Sequence, residues 1–113
     1  MEQTMIIDFD RIEEKSFPNF KEGKGEYISR SYVDDFGKVM RGRLKKGCSI
    51  GLHTHEANFE IMYVISGEGK LIYKNKTEVI RAGQAHYCSK GQSHSLINEK
   101  DETLVFLGIV VEQ

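Results

Sequence analysis

The stretch Gly47-Cys48-Ser49-Ile50-Gly51-Leu52-His53-Thr54-His55-Glu56-Ala57-Asn58-Phe59-Glu60-Ile61-Met62-Tyr63-Val64-Ile65-Ser66-Gly67 decides how this chain folds. It holds two histidines one residue apart, His53 and His55, followed by a carboxylate at Glu60. On a β-strand, residues i and i+2 point to one face, so both imidazoles project into one space. The step from His55 to Glu60 is odd, and an unbroken strand would put Glu60 on the opposite face. The intervening Glu56-Ala57-Asn58 is small and polar, so a turn there can return the chain and aim Glu60 back at the histidines. Two imidazoles and a carboxylate converging from two strands form a metal-ligand arrangement, which His94 downstream would complete.

Outward from this stretch the chain reads as all-β. Phe59–Ser66 is the clearest strand, with Glu60, Met62 and Val64 on one face and Ile61, Tyr63 and Ile65 on the other. Further strands are expected over 25–33, 38–45, 70–73, 77–80, 86–88, 94–98 and 103–111, with Met5 to Phe9 as a first strand. Residues 10 to 25 are polar and irregular, and are expected to wrap the surface and plug one end with Phe17 and Phe20. Asp34-Asp35-Phe36-Gly37, Gly67-Glu68-Gly69 and Lys74-Asn75-Lys76 are turn-like. About nine or ten short strands with closely spaced turns indicate a sandwich or barrel. No window of helical length carries a 3.6-residue apolar period.

At 113 residues the chain is expected to form one domain, with residues 1–25 as a terminal strand and wrapping segment and 26–113 as the barrel. Sixteen basic and seventeen acidic side chains leave a net charge of −1, giving no overall pull towards nucleic acid or acidic membranes. No apolar run approaches the length of a membrane span. The first residues lack the pattern of a signal peptide, so a cytoplasmic location is expected. Cys48 and Cys88 are expected to stay thiols, and no Cys-x-x-Cys pair marks a zinc knuckle.

The spacing itself resembles a known family. Gly47, five residues, His53-x-His55, four residues, Glu60, six residues and Gly67 is similar to the first signature of the cupin superfamily. Gly83, Gly91, His94 and Asn98 are similar to its second signature, with Ser89 where the family has proline. The resemblance implies a small jelly-roll-like cupin β-barrel with one divalent metal held by His53, His55, Glu60 and His94. The metal would be zinc, manganese, iron or nickel, and an octahedral ion would keep two positions open. It also implies a homodimer paired through sheet faces. Serine in place of proline is expected to loosen the turn that delivers His94, while Gly91 still permits the bend.

Other polar residues have two readings each. His86 and Cys88 share a strand face. His86 is either a satisfied histidine beside a buried thiol or a catalytic proton donor and acceptor near the pocket mouth. Arg41 and Arg43 also share a face, either as a solvated stripe with Lys45 or as an inward clamp for an anion. Tyr63 and Tyr73 read as packing residues, and Asn98 as a backbone-bonding residue. Gly47, Gly67, Gly83 and Gly91 read as turn residues with positive φ.

Three functions compete. The first is a metal-dependent enzyme of oxygenase, isomerase or lyase type, acting on a small organic molecule at the open metal positions. The second is a small-molecule binding or sensing module without turnover, and the third a metal that only staples the fold. Convergent polar groups around an open metal would favour the enzyme, and a sealed apolar lining would favour the binder.

Overall fold

The computed structural model describes residues 6–113. Ten strands follow one another: β1 Lys15–Pro18, β2 Glu26–Asp34, β3 Gly37–Leu44, β4 Ser49–Thr54, β5 Asn58–Ser66, β6 Glu68–Tyr73, β7 Lys76–Arg81, β8 Ala85–Cys88, β9 Ser93–Ile97 and β10 Leu104–Glu112. They pair antiparallel into a six-stranded sheet, β1-β2-β3-β10-β5-β8, and a four-stranded sheet, β4-β9-β6-β7. The result is the jelly-roll-like barrel that the turn spacing leads one to expect. Lys74 and Asn75, with φ of 51° and 64°, form the two-residue loop between β6 and β7, a geometry that matches the twist of a tight hairpin.

Period-two alternation determines what lies inside. Glu60, Met62 and Val64 of β5 are buried, as are Leu104, Phe106, Gly108 and Val110 of β10. Leu44, Leu71, Ile80 and Leu96 join them to form one core. Each large side chain removed from water contributes about 1.5–3 kcal/mol. Gly42 leaves room for the largest of them. A Cβ there would stand 2.5 Å from Tyr27 Cε1 and 2.8 Å from Phe106 Cζ, rings that stack at 5.9 Å.

The first strand differs from the expectation. Met5 lies outside the described residues, residues 6–8 form no strand, and Phe9–Arg11 is a 3-10 turn with Asp8 at its N-cap. The chain enters the sheet later, at β1, whose four residues are all exposed. Its register with β2, Lys15↔Ser29 through Pro18↔Glu26, makes β1 an edge strand held by main-chain bonds, so no apolar alternation marks it. Of the two phenylalanines expected as a plug, Phe20 packs on the core and against Tyr27 at 5.2 Å. Phe17 lies outside it, 37% exposed.

Candidate metal centre

The centre lies where β4, β5 and β9 meet inside the barrel. A bulge makes this work. In the β4–β9 pairing the register runs Ile50↔Leu96 and then His53↔His94, so β4 spends one more residue than β9 between the two pairs. That extra residue turns Leu52 out to solvent, 62% exposed, and puts His53 on the interior face that Ile50 began. His55 follows at the end of β4. The chain then crosses to the other sheet over Glu56 and Ala57, and Glu60 projects inward from β5.

Four donors converge. His55 Nε2 and His94 Nε2 are 2.9 Å apart, and each lies 3.0 Å from Glu60 Oε1. The His53 ring stands 4.7 Å from that of His94 and 5.0 Å from that of His55. The four donor atoms all lie within 4.8 Å of one another, close enough to share one ion. Three imidazoles and a carboxylate are a donor set suited to a divalent first-row ion.

The far nitrogens are held in place. His53 Nδ1 bonds the Gly51 carbonyl at 2.8 Å, and since a carbonyl only accepts, the imidazole donates. His55 Nδ1 bonds Asn58 Oδ1 at 2.6 Å, and His94 Nδ1 bonds His86 Nε2 at 3.1 Å. Such outer bonds fix ring orientation and leave the inner nitrogens facing one another. Gly51 also allows the Phe20–Glu22 turn to approach, because a Cβ there would collide with the Lys21 carbonyl oxygen.

Electrostatics leave Glu60 an ionised donor. Burial acts to raise the Glu60 carboxyl, but bonds from His55 and His94 and the charge of both rings outweigh it and hold it at about 2. The bond to Glu60 raises His55 in turn. Burial lowers His53 to about 4, keeping its ring neutral and able to donate a lone pair. His94 is fully buried.

His86 is not at the cavity mouth. It is 8% exposed, stands behind His94, and meets the Tyr73 ring edge-on at 4.8 Å. Burial lowers it to about 4. Its partner on the same face, Cys88, is fully buried, and burial raises that thiol to about 11. Both cysteines are free. The arginine stripe faces outward: Arg41 pairs with Asp10 at 2.9 Å and Arg43 with Glu14 at 2.9 Å, fastening the N-terminal segment to β3. Ser89 does not leave its turn loose, since its hydroxyl bonds Tyr73 OH at 3.1 Å and its N–H donates to the same oxygen at 3.4 Å. A proline there has no N–H to make the second bond.

A cavity of about 180 Å³ opens from the donors, walled by Tyr27, Met40, Met62 and Phe106, with Lys38 and Asn58 among its polar lining. The residue-by-residue reading missed Asn58 and Lys38. Asn58 was legible only as a turn residue. Lys38 has the parity opposite to Arg41 and Arg43, the same as the buried Met40 and Leu44, and that alternation was the available signal.

Comparison with known proteins adds the following. A family profile described as a cupin domain matches residues 40–111. The chain is 32% identical over 113 residues to an oxalate-binding protein of Thermotoga maritima, covering 95% of this chain and 93% of that one. A crystal structure described as a predicted oxalate decarboxylase of Thermotoga maritima superposes with a TM-score of 0.90 at 30% identity, over 96% of this chain and 100% of that one. A structure described as a sugar phosphate isomerase from a cupin superfamily, from Silicibacter pomeroyi, has a TM-score of 0.79 at 20% identity, over 96% of this chain and 76% of that one. At that identity the likeness concerns the fold alone.

Proposed function

This chain belongs to the cupin family, and on that premise we propose that it is a metal-dependent enzyme acting on a small organic acid inside the barrel. His53, His55, Glu60 and His94 would hold one divalent ion, zinc, manganese, iron or nickel. The observation that carries the reading is the triangle of His55 Nε2, His94 Nε2 and Glu60 Oε1, with edges of 2.9–3.0 Å. An ion held there in six coordination would keep two positions for a ligand beside the four protein donors. When bound, the ion supplies Lewis-acid polarisation or redox chemistry.

The chain's own residues do the remaining work. Gly51, Asn58 and His86 orient the three rings through their Nδ1 atoms. Tyr27, Met40, Met62 and Phe106 exclude water from one side of the cavity. His86, expected as a proton donor and acceptor, would act on the centre through His94, by accepting a hydrogen bond from its Nδ1 and raising the basicity of Nε2. The class of the reaction, oxygenase, isomerase or lyase, follows from the ion and the acid. An organic acid is the reading because a relative that matches nearly the whole chain is named an oxalate-binding protein.

That name also favours a second reading, a binding module without turnover. Elemental analysis of the purified protein beside the H53A/H94A double variant tests the metal. The expected result is about one equivalent per chain, absent from the variant, and no uptake by either on reconstitution overturns the proposal. Oxalate binding to the loaded protein without product formation leaves the binding module.

A further inference from the structure

Lys38 is an inward-facing lysine without a partner among the described residues. The register pairs Lys38 with Val110, Val110 with Glu60 and Glu60 with Cys88, so the four form one row across β3, β10, β5 and β8. Residues in one row share a face, which here is the inner one. Two strand spacings separate Lys38 from Glu60, about 9–10 Å between their Cα atoms. The side chain lines the cavity, and its charge is felt at His55. Yet Lys38 makes no ion pair or hydrogen bond with any described residue, whereas its outward neighbours Arg41 and Arg43 both have carboxylate partners.

From this row we propose that Lys38 is the anion-recognition group of the cavity and that the ligand is a short dicarboxylate, with one carboxylate at the metal end and the other at the Lys38 ammonium. The proposal rests on the metal reading above. A half-buried cation beside a cation site is unfavourable unless an anion completes it. The charges also count to two. A divalent ion less the charge of Glu60 leaves one positive charge and Lys38 adds another, so a dianion held between the ion and Lys38 neutralises those three groups. Its volume of about 180 Å³ is that of roughly six waters, room for a short acid. Lys21, which also lines the cavity with its ammonium 5.5 Å above the Phe20 ring, adds a further positive charge that draws anions in.

The test uses manganese-loaded wild type, K38M and K38R, with metal content measured beside titration calorimetry against malonate and acetate. Lys38 has no partner to lose among the described residues, so K38M is expected to keep its equivalent of metal. Loss of one charge-assisted contact weakens malonate binding by about tenfold or more, while acetate changes by less than about threefold. K38R restores malonate binding to within about threefold of wild type. Loaded K38M that binds malonate as tightly as wild type, or loaded wild type that does not bind malonate, overturns the assignment and leaves the metal reading standing. A wild type that takes up no metal overturns both.

Discussion

Asn98 is fully buried, and its amide joins three backbone groups. Nδ2 donates to the Leu44 and Glu102 carbonyls at 2.9 Å each, and Oδ1 accepts from the Lys100 N–H at 2.9 Å. It therefore ties the end of β3 to the loop before β10. Truncation orphans these groups in the interior, so Asn98→Ala is expected to cost about 2–4 kcal/mol in urea denaturation. An unchanged midpoint would mean that water replaces the amide. Asn58 acts on the centre in a similar way, through one bond to His55 Nδ1. Asn58→Ala is expected to lower metal affinity about 10–100-fold with little change in fold, read by competition with a chelator. Equal affinity would show that His55 needs no outer partner.

At the scale of elements, the turn from β8 to β9 depends on β6. Tyr73 reaches across to Ser89 and packs its ring edge against His86, which in turn bonds His94. Removing the hydroxyl in Tyr73→Phe keeps the ring and cuts the tie. The expected loss is about 1 kcal/mol of stability, with faster amide exchange at Ser89 than in wild type. Unaltered exchange there would show that Gly91 and the strand pairs alone hold the turn. The bulge in β4 belongs to the same scale. It decides that His53 rather than Leu52 faces the barrel, a choice made by pairing with β9 and not by alternation within β4.

The whole molecule presents an apolar outer face on the six-stranded sheet. Tyr63, Ile65 and Tyr87 are 44%, 46% and 52% exposed, and Phe59 stacks on Tyr87 at 5.5 Å beside them. The sequence led us to expect burial on both sides of β5, and within one chain only the inner side has it. We propose that a second copy covers the outer side, giving a homodimer. Light scattering at micromolar concentration is expected to give twice the chain mass for wild type and one chain mass for Ile65→Asp. A wild type of single mass under those conditions removes the dimer.

By itself the sequence determined the all-β class, the inward parity of β5, and the four residues whose side chains converge, while β10 reads as apolar on both faces and only its pairing chose the inner one. Histidine, glutamate and glycine spacings are local, and a period of two reports burial directly. It also gave the positive φ of Gly47, Gly67, Gly83 and Gly91. Tertiary structure decided the rest. Exposed β1 exists only because β2 pairs with it, and the arginines of β3 face out while Lys38 faces in. His86 lies behind His94 because its strand borders β5, where it pairs with Met62, and its ring reaches His94 Nδ1. In each case a neighbouring strand, distant in sequence, sets the register, and register sets which way a side chain points.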